Sequence, residues 1–144
     1  MSLDRPPLEV RVEHTGEKRF SAKGAHLELE FDTTQTSPKE LFLAGMLGCS
    51  AYDMVMIPAS RGYEIKNLSL SVKAHPSAEI PHRFERLELL YQLDSTAPKE
   101  EILSWVEATL ESYCTTINTL RGGCEVSYSV LCNKEMILSQ RKLF

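Results

Sequence analysis

The sequence lacks most of the usual markers of function. Its four cysteines include no Cys-x-x-Cys pair, so spacing alone builds neither a zinc site nor a dithiol motif. No Gly-x-Ser-x-Gly elbow, Walker loop or dinucleotide fingerprint appears. Charge of one sign is scarce too: 16 Lys and Arg stand against 20 Asp and Glu, a net −4, and no basic run exceeds a few residues. That balance gives no electrostatic case for nucleic acid or an anionic membrane as partner. His14, His26, His75 and His82 fall in strand or loop contexts without metal-ligand spacing. Surface positions are expected for most of them, and no metal or other cofactor is expected. The N-terminal MSLDRPPLEV has no charged segment leading into an apolar core, so no signal peptide is read. One apolar stretch is long, Leu41 to Ile57, but Asp53 sits near its end and Pro58 follows it. It suits a buried helix better than a membrane span. Cysteines without a secretory signal point to a reducing cytoplasm, where structural disulfides are rare.

What is present describes one globular domain, residues 1–144. A chain of 144 residues buries a real core, and 42% apolar with 25% charged residues is globular composition. LEVRVEH (Leu8 to His14) and HLELEFD (His26 to Asp32) alternate apolar and charged residues with the period of a half-buried strand. With Gly16 and Gly24 as punctuation, two or three short strands are expected there. Ser37-Pro38-Lys39-Glu40 then carries a helix start: an N-cap, a proline at the first helical position and a glutamate three residues after the cap. This helix is expected to run to about Ile57 and to stop or kink at Pro58. NLSLSVKAH and RFERLELLYQLD (Arg83 to Asp94) read as antiparallel neighbours. Ile102, Leu103, Val106, Leu110, Tyr113, Ile117 and Leu120 recur at helical spacing, and Gly122 and Gly123 close that second helix. CEVSYSVLC (Cys124 to Cys132) is the last expected strand. The expected fold is therefore α+β, in the order β-β-β-α-β-β-α-β.

Cys124 and Cys132 lie on the apolar face of that strand and read as core packing. Cys49 lies mid-helix among Ala44, Gly45, Gly48, Ser50 and Ala51, and Cys114 shares an inward stripe with Leu110, Ile117 and Leu120. Periodicity leaves two readings open for this pair. They are packing residues, or they are redox partners on helices that cross. The second needs Cα atoms within about 7 Å and a donor or cation beside the thiolate. A thiolate that attacks a peroxide becomes a sulfenic acid, which a nearby thiol converts to a disulfide. Tyr52 and Tyr113, beside the two cysteines, read as core aromatics.

SPKELFLAGMLGCS paired with the later Tyr-Cys-Thr-Thr resembles the OsmC/Ohr family of osmotically inducible and organic hydroperoxide resistance proteins. The likeness is closest to its YhfA-like branch, where a Gly-Cys-Ser-Ala-x-Asp run is typical, and it spans almost the whole chain. The resemblance implies an OsmC-like fold: an intertwined homodimer around a buried central helix, with sites at the dimer interface. It implies a thiol peroxidase acting on small organic hydroperoxides in oxidative stress, with Cys49 as the attacking and Cys114 as the resolving cysteine. It also implies a dithiol or lipoyl-type reductant. Ohr-type members hold an arginine against the thiolate with a glutamate at the position that Lys39 occupies here. Glu40 is next door and Arg19 is the best positional match for the arginine, with Arg11 behind it. An ionised Asp53, four residues after Cys49, would oppose a thiolate; its other reading is a buried hydrogen bond to nearby backbone or to the partner chain. The rival to the enzyme reading is a dimeric binding or structural protein of the same fold with little peroxidase chemistry.

Overall fold

The computed structural model describes residues 5–144. They fall into two compact units, one ending at Phe42 and one covering Leu43–Phe144.

The N-terminal unit is an antiparallel sheet of β1 (Val10–Gly16), β2 (Arg19–Gly24) and β3 (Leu27–Asp32), in that order. Alternation puts Val10, Val12, Leu27 and Leu29 on one face, and all four are exposed. Phe20 stacks on Phe31 with ring centroids 5.7 Å apart, which fixes the β2–β3 register at that pair.

α1 (Pro38–Ser60) starts as its sequence demands: the Ser37 hydroxyl accepts the Glu40 amide at 3.3 Å. Its end differs from expectation. Pro58 lies inside the helix and is buried, because a proline there forfeits only one backbone bond. The stop is Gly62, whose φ of +80° lets the Tyr63 amide return to the Pro58 carbonyl at 2.9 Å. α1 is long and apolar enough to cross a membrane, yet Met46, Ser50, Met54 and Pro58, at four-residue spacing, form a stripe buried in the protein itself. Within this chain the helix is buried on that stripe alone. Tyr52, Val55 and Met56 remain exposed, because one sheet covers one face.

The second sheet has the order β4-β5-β6-β7: β4 (Lys66–Pro76), β5 (Phe84–Asp94), β6 (Glu125–Cys132) and β7 (Glu135–Lys142). β4 and β5 pair antiparallel as expected, while β5 and β6 run parallel and need the helical crossover between them. Leu87, Leu89, Tyr91 and Leu93 of β5 and Val126, Tyr128, Val130 and Cys132 of β6 point to the same core as Trp105 and Met54. β7 is an element the expected order omitted. Its turn, Asn133-Lys134, has φ of 51° and 65°. That is the two-residue hairpin geometry usually marked by glycine, and a lysine in the second place hid it.

The crossover also departs from one continuous helix. α2 (Lys99–Ala108) passes into a wide π turn over Thr109–Tyr113, the chain extends at Cys114 (φ −76°, ψ 98°), and α3 (Thr115–Thr119) begins afresh. The inward stripe survives: Leu110, Cys114 and Ile117 are all fully buried.

Candidate active site

The break at Cys114 creates the site. A helix start leaves its first amides without intrahelical partners. Those of Thr115 and Thr116 serve the sulfur of Cys49, which reaches them from the middle of α1. The Thr116 hydroxyl stands 3.5 Å from the Cys114 sulfur and donates to the Met46 carbonyl at 3.4 Å, tying α3 to α1 one turn before Cys49. Asn118 repairs the broken helix, donating to the carbonyls of Leu110 (3.0 Å) and Cys114 (2.9 Å). Cys49 and Cys114 are both free thiols, and their sulfurs share a hydrogen bond.

The two thiols are polarised in opposite directions. Partial burial pushes Cys49 up, but the Thr116 amide and hydroxyl, the Cys114 thiol and the Thr115 amide outweigh it, so Cys49 titrates below an ordinary thiol. Burial pushes Cys114 up, and the neighbouring Cys49 adds to that. Of the two, Cys49 is therefore the thiol that loses its proton first, with Cys114 as a donor to it. Amide donors do here what a nearby cation does in other reactive thiols.

Beneath the pair, the Ser50 hydroxyl and Tyr91 phenol share a buried 2.6 Å hydrogen bond. Burial holds that phenol neutral, far above its usual range. Asp53 is half-buried, and its Oδ2 is sealed from solvent with no hydrogen-bond partner. Of the two partners expected for a buried Asp53 hydrogen bond, nearby backbone supplies none to Oδ2. Burial alone raises its pKa. The main influences on Cys49 are burial, then Thr116, Cys114 and Thr115; Asp53 is not among them.

The other expected residues lie in the N-terminal unit. Arg19 opens β2, opposite Gly16 and Asp32 in the sheet register, and helps to lower the Asp32 pKa behind two hydrogen bonds from Thr34. Glu40 is exposed in the first turn of α1, where its amide completes the cap. Among the described residues no ion pair joins Arg19 to Glu40. Tyr52 and Tyr113 are corrected: both are largely exposed, at 65% and 63%. Cys132 is core, while Cys124 is half-buried in the wall of a cavity of about 890 Å³, with Arg83 and His75, that neither Cys49 nor Cys114 lines. Among the described residues no three His, Cys, Asp or Glu side chains cluster as metal ligands. Sequence reading missed Thr116, Ser50 and Tyr91. The Tyr-Cys-Thr-Thr run was the available signal, since two β-branched threonines weaken a helix there.

A polarised pair of thiols, one on the long helix and one at a break in the crossover of an α+β fold, defines a thiol-bearing protein of one recognisable architecture. The OsmC-like protein family matches residues 31–129, and the chain belongs to that family. No curated protein matches the chain. Among solved structures it is similar to a hypothetical protein from Aquifex aeolicus VF5, with a TM-score of 0.78 at 21% identity over 90% of this chain and 99% of that one. An OsmC-like protein from Mycoplasma pneumoniae gives 0.76 at 14% identity, over 88% and 97%. An organic hydroperoxide resistance protein from Elizabethkingia anophelis gives 0.67 at 20% identity, over 90% and 99%. At such identities these likenesses establish the fold.

Proposed function

We propose that this protein is a thiol peroxidase that reduces organic hydroperoxides through a Cys49–Cys114 cycle. The observation that carries the reading is the shared hydrogen bond of the two free thiols, with the Thr115 and Thr116 amides on the Cys49 side. The name of the similar Elizabethkingia protein, which concerns hydroperoxide resistance, agrees with it. The Cys49 thiolate attacks the terminal peroxide oxygen. An S–O bond forms, the O–O bond breaks, the peroxide leaves as alcohol and Cys49 becomes a sulfenic acid. Cys114 then displaces hydroxide from that sulfur, which leaves as water and completes a disulfide. A small dithiol, a lipoyl group being one such, restores both thiols by two exchanges and takes the disulfide away.

The active form we propose is a cytoplasmic homodimer whose subunit is a single OsmC-like domain over residues 1–144. Arg19, steadied by Glu40, is proposed to face the thiolate in that assembly; family placement in the YhfA-like branch belongs to the same proposal. A second reading, a dimeric binding protein without turnover, draws on Lys39 standing where Ohr-type members carry the glutamate. The test is consumption of an alkyl hydroperoxide with a dithiol reductant. Turnover in wild type, its loss in Cys49→Ser and a Cys49 sulfenic acid trapped in Cys114→Ser support the enzyme. Turnover equal in wild type and Cys49→Ser contradicts it.

A further inference from the structure

Two donors compete for the carbonyl of Leu110, and the site depends on which one holds it. In a regular helix the Cys114 amide would donate to it, four residues back. Here that amide goes one residue further, to the Thr109 carbonyl at 2.8 Å, which makes the π turn. Leu110 is fully buried, so water does not reach the carbonyl that this shift leaves free, and a buried acceptor without a donor is costly. A side chain supplies the donor. Asn118 Nδ2 reaches the Leu110 carbonyl at 3.0 Å from eight residues along the chain, and it also donates to the Cys114 carbonyl at 2.9 Å.

The carboxamide serves this purpose in one orientation only. Its Nδ2 faces two carbonyls, and its Oδ1 accepts the Arg121 Nε–H at 2.8 Å. The flipped amide would set an oxygen against two oxygens and an NH2 against a guanidinium.

What the break holds in place is the surroundings of Cys49. Cys114 stands in extended backbone, fully buried, with its sulfur 3.5 Å from the Thr116 hydroxyl. Thr116 in turn donates to the Met46 carbonyl of α1 at 3.4 Å. Were the helix continuous, the Thr115 and Thr116 amides would close onto the Glu111 and Ser112 carbonyls and be lost to Cys49. Wide turns of this kind interrupt helices mostly at functional sites.

We propose that Asn118 is the positioning residue of the thiol pair: by taking the Leu110 carbonyl it keeps the chain broken at Cys114, and so keeps Cys114 and Thr116 against Cys49. Its own bonds go to carbonyls and a guanidinium, not to a sulfur, so it acts through the backbone. The inference deepens the thiol peroxidase reading above and rests on it for its part in turnover.

The test follows each cysteine of the reduced protein by peptide mass analysis during alkylation with iodoacetamide across a range of pH. Asn118→Leu keeps the bulk and removes both donors without adding charge. It is expected to move the Cys49 profile to higher pH and to slow its alkylation at pH 7 by about three- to tenfold. Asn118→Ser keeps a hydroxyl that reaches the carbonyl four residues back but not the one eight back. Its shift is expected to fall between wild type and Asn118→Leu, and it carries the test if the leucine variant does not fold. Asn133→Ala is the control for loosening alone. It removes side-chain bonds to Ser95 at 3.1 and 2.8 Å in the β6–β7 turn, and is expected to lower stability while leaving the Cys49 profile in place. An unmoved profile in the Asn118 variants, a larger shift in Asn118→Ser than in Asn118→Leu, or an equal shift in Asn133→Ala overturns the proposal. A second arm adds one equivalent of tert-butyl hydroperoxide, after which the Cys49–Cys114 disulfide is expected to form more slowly in Asn118→Leu than in wild type; an equal rate overturns the part assigned to Asn118 in turnover. If wild type forms neither a Cys49 sulfenic acid nor the disulfide, the peroxidase reading fails, and the alkylation profile still decides the role of Asn118.

Discussion

Thr116 is the residue on which the chemistry of Cys49 turns. Its amide and hydroxyl are the two largest influences that pull the Cys49 thiol down against burial. Thr116→Val removes the hydroxyl and keeps the amide, so the thiol should become less acidic without reverting fully. Alkylation of Cys49 by iodoacetamide at pH 7 should slow by roughly three- to tenfold, with the pH profile moved to higher pH. An unchanged profile would show that the amides alone set the acidity. Cys114 was legible as an inward thiol because it lies on an apolar stripe with Leu110 and Ile117, whereas Cys49 stood out as a thiol among small residues. What polarises them was not legible, since backbone amides carry no side-chain signature.

At the scale of elements, the decisive feature is where a regular pattern is interrupted. The apolar spacing from Ile102 to Leu120 reads as one helix because a π turn followed by a break keeps Leu110, Cys114 and Ile117 on the same side. Periodicity thus survives the loss of the helix that would produce it. β7 escaped notice for a related reason: its turn uses lysine at positive φ, where glycine would have signalled a hairpin. Strands β4 and β5 and the start of α1 were legible because alternation and capping each leave a local mark. Two predictions belong to α1. Asp53 has its folded pKa raised by burial, so its contribution to stability is full below the unfolded value of about 3.9 and is lost as pH rises through the folded value. Asp53→Asn should therefore be more stable than wild type at pH 7 by about 1 kcal/mol, and the gain should shrink as pH falls toward about 4. Thermal unfolding across that range checks it, and a gain that grows at low pH would contradict it. Tyr91→Phe strands the buried Ser50 hydroxyl and should cost about 1–3 kcal/mol; a denaturation midpoint equal to wild type would show that Ser50 finds another partner.

The whole molecule presents apolar surface on both of its units. Tyr52, Val55 and Met56 are exposed on α1, Gly45 and Gly48 have open space where a Cβ would stand, and Val10, Val12, Leu27 and Leu29 are exposed on the N-terminal sheet. A second copy is the simplest cover for such faces. Sedimentation should give the mass of a dimer at micromolar concentration, and a stable folded monomer would count against it. The central claim, that Cys49 and Cys114 work as a pair, is met most directly by one experiment. The reduced protein is treated with one equivalent of an organic hydroperoxide and its cysteine peptides are mapped by mass spectrometry. The account predicts a single Cys49–Cys114 disulfide, with Cys124 and Cys132 still reduced; oxidation of Cys124 or Cys132 before Cys49 would contradict it.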